Sequence, residues 1–323
     1  MKRILLIATG GTISCAQTEL GLTPKLGAAE LLMLVPELEG ACEISAVQPF
    51  SLDSTNMSPN EWSVLAGLIR DRYENYDGFV ITHGTDTMAY GAAALSCLIR
   101  YNGKPVIFTG SQLSPDAPDS DVKRNLRDAF LCALDDNSCG VLIVFGGRII
   151  DGRCACKLHT READAFRSIN RRDTGAVFED GEVVIKEKRV IERDPIFYDK
   201  LDNRVATIKL TPGAPSGIFD IDGVRAVIIE SYGAGGLPEI YGEKLSELLA
   251  GGIYAVMSTQ VLYGGSNLAL YRVGRIVKEK YDLPEVGMMT AEYAAMRAMW
   301  ALAYSKDYTE FIRLFAEKES DNA

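Results

Sequence analysis

The sequence predicts an α/β protein: a larger N-terminal domain on a doubly wound, mainly parallel sheet with a β-hairpin appendix, then a smaller C-terminal α/β domain. Three observations carry this. Short β-rich runs recur at Lys2 to Ala8, Phe79 to Ile81, Pro105 to Thr109 and Val141 to Phe145, each followed by a polar or glycine-bearing turn. The rhythm then changes to alternation around Asp151-Gly152 and Asp180-Gly181, the dipeptides of tight antiparallel hairpins. A charged stretch carrying Pro195 follows, and the strand repeat restarts at Val205. These signals set an N-terminal domain over residues 1–188, a linker over 189–204 and a C-terminal domain over 205–323.

Taken in order, the first strand ends in Thr9-Gly10-Gly11-Thr12-Ile13, where paired glycines permit a sharp turn and close approach to a ligand. The stretch from Gln17 to Lys25 has turn residues and no apolar period, as in a surface loop or a flap. Ala28 to Val35 is expected as a short helix, and Ile44 to Val47 as an edge strand leading into Asp53-Ser54-Thr55. Ser58-Pro59-Asn60-Glu61 has the capping-box spacing with proline at the first helical position, so a helix is expected to about Tyr73. Phe79-Val80-Ile81 has the character of a strand buried on both faces; it breaks at His83-Gly84 before the small-residue helix that begins near Ala89. A helix over Val122 to Ala133 follows the polar loop after Gly110-Ser111-Gln112. In the second domain, strands are expected at Val205 to Leu210, Ala226 to Glu230 and Tyr254 to Ser258. Helices are expected near Asn267 to Tyr281, Thr290 to Tyr304 and Tyr308 to Ala316.

Composition excludes several classes of function. A net charge of −10 and the absence of a basic stripe disfavour a nucleic-acid partner. No apolar run is long enough for a membrane span, and Ile4 to Ala8 is too short for the core of a signal peptide. Seven cysteines without a C-x-x-C pair point to a reducing cytoplasm. With two histidines in the chain, a His-rich zinc site cannot be assembled, and neither a metal nor another cofactor is expected. The glycine spacings match neither G-x-G-x-x-G nor G-x-x-x-x-G-K-[ST], which removes the nucleotide readings.

Hydroxyls remain at Thr12, Ser54 and Thr85, with a carboxylate at Asp86 and an amine at Lys157 beside the first hairpin. In an open α/β sheet, ligands bind beyond the carboxyl ends of the strands, where the three hydroxyls fall. A hydroxyl needs a nearby base to become a nucleophile. His83, two residues from Thr85, allows a Ser-His-Asp type of triad, although no G-x-S-x-G elbow is present. A buried lysine oriented by a carboxylate is the alternative base. Each residue also has a plain structural role open to it: Thr85 or Asp86 as a helix cap, Ser54 in a turn, Lys157 on a solvent-facing strand.

The ordered set Thr9-Gly10-Gly11-Thr12-Ile13, Asp53-Ser54-Thr55-Asn56-Met57 and Thr82-His83-Gly84-Thr85-Asp86-Thr87-Met88-Ala89-Tyr90 resembles the bacterial-type L-asparaginases, in particular their cytoplasmic type I branch. The resemblance extends to Lys104-Pro105-Val106, Gly110-Ser111-Gln112 and Glu230-Ser231-Tyr232-Gly233, nearly the whole chain. It implies hydrolysis of L-asparagine to aspartate and ammonia, with glutamine as a secondary substrate, in a cytoplasmic homodimer or homotetramer whose active sites lie at subunit interfaces. Thr12 would attack the side-chain amide, and Thr85, Asp86 and Lys157 would relay protons. Asp53, Ser54 and Thr55 would hold the amino-acid end, Gly84 and Thr85 would stabilise the oxyanion through their backbone, and the carbonyl of Ser111 would accept the leaving amide.

Two points separate this chain from its relatives. The flap tyrosine of several members aligns with Leu22, which offers no hydrogen bond; Ser14, Thr23 or a tyrosine from elsewhere would have to serve instead. Glu230 stands where the enteric type I enzyme has an arginine, so that enzyme's activation by asparagine is not expected here. A related chain type, the ammonia-producing subunit of archaeal tRNA-dependent amidotransferases, carries an extra domain before the first strand. Only eight residues precede Thr9, which favours the asparaginase expectation. A non-catalytic amino-acid sensor is the remaining alternative.

Overall fold

The structure is a computed structural model that describes residues 1–18 and 21–317, with side chains described outside 17–24. The chain divides into two compact units, Met1–Asp199 and a second beginning at Lys200.

Among the described residues, the first unit is built on an eight-stranded sheet. Five strands run parallel in the spatial order Glu43–Val47, Arg3–Ala8, Gly78–Thr82, Pro105–Thr109 and Gly140–Phe145. In chain order this is 2-1-3-4-5, so the winding direction reverses between the first and third strands, and the crevice at such a switch point is where open α/β sheets bind ligands. All residues of Gly78–Thr82 and Pro105–Thr109 are buried, as a sheet covered on both faces requires. The first and third strands pair in register from Ile4↔Gly78 to Ala8↔Thr82, which sends Thr9 and His83 out of the sheet side by side.

The expected helices form where the caps predict. In Pro59–Arg70, the Ser58 and Glu61 side chains close the capping box reciprocally. Helix Met88–Leu98 is rich in small residues and nearly all buried, and a side chain at Gly91 would stand 3.0 Å from the indole nitrogen of Trp62, so glycine lets the two helices meet. Ala28–Leu32 is shorter than expected, ending three residues before Val35.

The antiparallel part departs from expectation. The hairpin at Asp180-Gly181 forms, pairing Gly175–Val177 with Val183–Ile185, but these strands extend the main sheet through Arg148–Asp151 rather than standing apart from it. Asp151-Gly152 is not a hairpin turn. Arg148–Asp151 instead pairs back on Gly140–Phe145, and the chain leaves the sheet at Asp151 to form a separate pair, Ala155–Lys157 with Phe166–Ser168. The reason is local. The Asp151 carboxylate is buried between the guanidinium groups of Arg153 and Arg189, and a side chain at Gly152 would meet Ala92 of the neighbouring helix at 3.0 Å. This corner aims Lys157 toward the Thr85 turn. The stretch from Gln17 is likewise more ordered than a plain loop: Cys15–Thr18 pairs with Gly21–Pro24.

The segment expected as a linker, 189–204, is not free chain. Arg189 holds Asp151, and Ile196–Phe197 pairs with Ile99–Arg100, so contacts within the first unit run to its last residues. In the second unit, Val205–Lys209, Ala226–Ser231 and Tyr254–Thr259 form a three-stranded parallel sheet. It packs with Leu245 and Leu248 of helix Gly242–Ala250 around a core that includes Phe219, Val227, Ile229 and Met257. Helices Arg272–Tyr281, Ala291–Tyr304 and Tyr308–Ala316 follow, the last two capped by Thr290 and Asp307. Among the described residues, no helix is long and apolar enough to cross a membrane.

Burial pushes the Asp151 carboxyl up, but Arg153 and Arg189 outweigh it and hold the group well below the usual carboxylate range. Asp151→Ala leaves two largely buried guanidinium groups without this partner, and a loss of about 3–5 kcal/mol is expected at pH 7. A carboxylate with a depressed folded value stabilises above its unfolded pKa and loses that contribution as pH falls through the folded one. Urea midpoints for wild type and variant should therefore lie far apart at pH 7, and the gap should begin to narrow only as pH falls below the ordinary carboxylate range.

Candidate active site

Three glycines set the geometry at the switch point. Gly10 and Gly11 have φ of 107° and 83°, the left-handed region that disfavours other residues. A side chain at Gly10 would stand 2.4 Å from the Leu52 carbonyl oxygen, one at Gly11 2.4 Å from Gly84 Cα, and one at Gly84 2.6 Å from Ser54 Oγ. Backbone hydrogen bonds fix the same approach: Gly11 N–H donates to Leu52 O (3.0 Å), Leu52 N–H to Thr9 O (2.9 Å) and Thr9 N–H to Thr82 O (3.1 Å). The Thr87 hydroxyl donates to Ser54 O (2.8 Å), tying the second loop to the third.

The three loops enclose a cavity of about 170 Å³ lined by Gly11, Thr12, Cys15, Asp53, Ser54, Gly84, Thr85 and Asp86. Such a volume suits one small molecule. Six residues singled out from the sequence line it: Thr12, Asp53, Ser54, Gly84, Thr85 and Asp86. Thr12 opens a single turn of 3-10 helix, Thr12–Ser14, directly after Gly11.

Lys157 reaches this group from its own strand. Its Nζ donates to Thr85 Oγ1 at 2.8 Å and to Asp86 Oδ1 at 2.7 Å, and its side chain is 16% exposed against 58% for Asp86. Thr85 donates in turn to Gln112 Oε1 at 3.0 Å. These bonds displace the capping alternative, since the N-cap of helix Met88–Leu98 is Thr87. Lys157 is not a solvent-facing strand residue.

Two expected ligand-binding residues stand outside the lining. The Thr55 N–H and hydroxyl both donate to Asp53 Oδ1 at 2.9 Å, so Thr55 fixes the Asp53 carboxylate and does not face the cavity. Ser111 is buried, and its hydroxyl donates to Leu113 O at 2.6 Å. The sequence reading missed Cys15 and Gln112. Each lies within three residues of a position already singled out, and no pattern of residue types distinguished them. Cys15 donates to Gly11 O (3.3 Å), and burial, then the Asp53 charge, pushes its thiol pKa up, away from the thiolate a nucleophile requires. Ser14 spends its one hydroxyl proton on Gly11 O (2.9 Å), which removes it as a hydrogen-bond donor in place of a flap tyrosine. The side chains of Leu22 and Thr23 lie outside the described residues. Among the described residues, no three His, Cys, Asp or Glu side chains group as metal ligands.

His83 is fully buried, and both ring nitrogens are occupied: the Trp62 indole N–H donates to Nε2 (3.3 Å), and Nδ1 donates to Gly84 O (2.7 Å). Because the indole is a donor only, this network assigns the neutral Nδ1–H tautomer. The ring holds the turn and leaves no nitrogen for Thr85, so the triad alternative falls.

A two-unit α/β chain with this cavity at its switch point has close counterparts. The family described as "Asparaginase, N-terminal" matches residues 3–191, and the "Glutaminase/Asparaginase C-terminal domain" matches residues 204–315. The chain belongs to the asparaginase family. An L-asparaginase of Thermococcus kodakarensis is 36% identical over 318 residues, 97% of this chain and 96% of its own. The solved structure of the thermostable L-asparaginase from that organism superposes with a TM-score of 0.91 at 35% identity, covering 99% of both chains. A probable cytoplasmic L-asparaginase from Campylobacter jejuni gives 0.85 at 26% identity, covering 98% of this chain and all of the other. One of the glutamyl-tRNA(Gln) amidotransferase subunits of Metallosphaera sedula is 34% identical over 97% of this chain and 74% of its own length. This asparaginase-family amidohydrolase is therefore similar in sequence both to an L-asparaginase and to a glutamyl-tRNA(Gln) amidotransferase subunit.

Burial pushes the His83 ring down from its ordinary value of 6.5 to about 4, against a smaller opposing effect of the bond to Gly84. Between those two values the unfolded chain takes up a proton that the folded chain refuses, so stability falls with pH. The full span corresponds to about 3 kcal/mol. Urea unfolding at pH 7 and pH 4 should show this loss in wild type, and His83→Gln should remove that part of the pH dependence. An equal slope in both proteins would mean the ring is protonated in the native state.

Proposed function

We propose that this chain hydrolyses L-asparagine to L-aspartate and ammonia. The observation that carries the reading is a cavity of about 170 Å³ with the Thr12 loop on one wall and Thr85 and Asp86, both bonded to Lys157, on another. Thr12 attacks the side-chain carbonyl carbon, the C–N bond breaks and ammonia leaves carrying the proton that Thr12 gave up. Water then attacks the resulting ester, and Thr12 regains a proton. Thr85, Asp86 and Lys157 form the relay that orients the groups exchanging these protons. Backbone N–H groups at Gly84 and Thr85 meet the developing oxyanion, where one well-placed donor contributes about 3–4 kcal/mol. Ser54 receives the α-carboxylate, and Asp86 receives the α-ammonium through the carboxylate oxygen turned from Lys157. Asp53 stands beside them, oriented by Thr55. Ser111 takes part through the loop it shares with Gln112. Glutamine is one methylene longer, a difference typically worth about 1–3 kcal/mol in a pocket, and serves as a secondary substrate. The working enzyme is a cytoplasmic homodimer or homotetramer, which light scattering on the purified protein decides.

Thr12→Ala and Lys157→Met are each expected to lower ammonia release from asparagine by on the order of 1,000-fold or more with the melting temperature retained. Turnover unchanged in either variant removes that residue from the mechanism.

A second reading follows from the amidotransferase relatives: release of ammonia for a tRNA-dependent amidotransferase. Steady-state kinetics on free asparagine and free glutamine, with and without glutamyl-tRNA and a synthetase-like partner, separate the two. Turnover of free asparagine without tRNA or partner is expected; turnover that appears only with the charged tRNA would replace the first reading by the second.

A further inference from the structure

Thr85 Oγ1 sits between two groups whose bonding directions can be assigned. Lys157 Nζ donates to it at 2.8 Å, and an ammonium has no acceptor, so that bond uses a lone pair of the hydroxyl. The bond to Gln112 Oε1 at 3.0 Å then uses its single proton. A glutamine amide is ambiguous alone, because its oxygen and nitrogen can exchange places. Here Nε2 faces two groups that only accept, Glu162 O at 3.2 Å and His159 O at 3.4 Å, which leaves Oε1 for Thr85.

The Gln112 backbone is pinned as well. Its N–H donates to Asp121 Oδ2 (3.0 Å) and that of Leu113 to Asp121 Oδ1 (3.1 Å), while Asn125 Nδ2 bonds both Asp121 Oδ2 and Gly110 O at 3.0 Å. His159 and Glu162 lie between Ala155–Lys157 and Phe166–Ser168. One amide thus joins the Thr85 turn to the hairpin that carries Lys157.

We infer that Gln112 is a positioning residue that draws the Thr85 hydroxyl proton out of the cavity, so that Thr85 presents a lone pair to the O–H of the attacking group. The inference deepens the relay reading above and rests on it. A Thr85 proton aimed into the cavity would donate to the attacking oxygen and oppose loss of that group's own proton; a proton held by Gln112 leaves a Thr85 lone pair to orient that O–H by hydrogen bonding, while the proton itself leaves on the departing nitrogen. Gln112 touches neither Ser54 nor the substrate-facing oxygen of Asp86, so its loss acts on the chemical step and not on binding.

The test has two arms. Neutron diffraction on the deuterated wild-type protein should place the Thr85 hydroxyl deuteron between Oγ1 and Gln112 Oε1; a deuteron directed into the cavity or toward Lys157 overturns the inference whatever the substrate proves to be. In kinetics on asparagine, Gln112→Met keeps the side-chain length but not the acceptor. It should lower kcat on the order of 10- to 100-fold, the scale of a misplaced catalytic group, with KM within about threefold and the melting temperature unchanged. Gln112→Glu keeps an oxygen toward Thr85 and loses the donors to His159 and Glu162, so it should recover at least part of kcat. Equal losses in both variants, or a rise in KM with a lower melting temperature, would make Gln112 a tether for the hairpin and nothing more. A wild-type chain inactive on asparagine would sink the function proposed above, and the diffraction arm would still decide this one.

Discussion

The constraint on which the rest of the structure depends is the approach of backbone to backbone where the first and third strands leave the sheet. Gly11 and Gly84 stand so close that a methyl group on either would strike the facing chain or Ser54. With the strands in register up to Ala8↔Thr82, the two loops cannot diverge until they have passed each other, and Leu52 is hydrogen-bonded into the same knot. Three hydroxyls from remote parts of the chain therefore face one small volume without any of their side chains having to attract another. The glycines act by what they leave out, and the threonines and serine follow from backbone geometry.

Polar chemistry in such a place requires that each group have a partner of the right kind. His83 meets this by being closed on both sides, which makes it a strut of the turn and keeps it neutral through the physiological range. Thr85, Asp86, Lys157 and Gln112 meet it as a chain, in which Lys157 donates to both Asp86 and Thr85 and Thr85 donates on to Gln112. The same requirement explains the corner at Asp151. A buried carboxylate between two guanidinium groups is costly to disturb, and it fixes where the strand bearing Lys157 begins. The glycines thus shape the cavity, and the buried ionic cluster, outside its lining, fixes the corner that precedes the Lys157 strand.

Much of this was legible from residue order. Alternation, apolar runs and caps identified the parallel strands of both units, and the Ser58-Glu61 box and the Asp180-Gly181 hairpin formed as their local chemistry dictates, because each depends on residues within a few positions of one another. Asp151-Gly152 misled for the complementary reason. A D-G dipeptide favours a hairpin only when nothing else claims the aspartate, and here Arg189, 38 residues away, does. The stretch at 189–204 looked like linker because its composition is charged and aperiodic, yet Arg189 and Ile196–Phe197 are bound into the first unit.

By itself the sequence determined which groups exist to do chemistry: hydroxyls, one lysine, a few carboxylates and no set of histidines for a metal. It also determined their places at strand ends, since strand periodicity and glycine punctuation are local properties. Only the tertiary structure decided which of them face one another. It closed His83 against Trp62, 21 residues away, and set Thr85 between Gln112 and Lys157, 27 and 72 residues away, because pairing at a switch point is set by strand order and by partners beyond the reach of any local pattern.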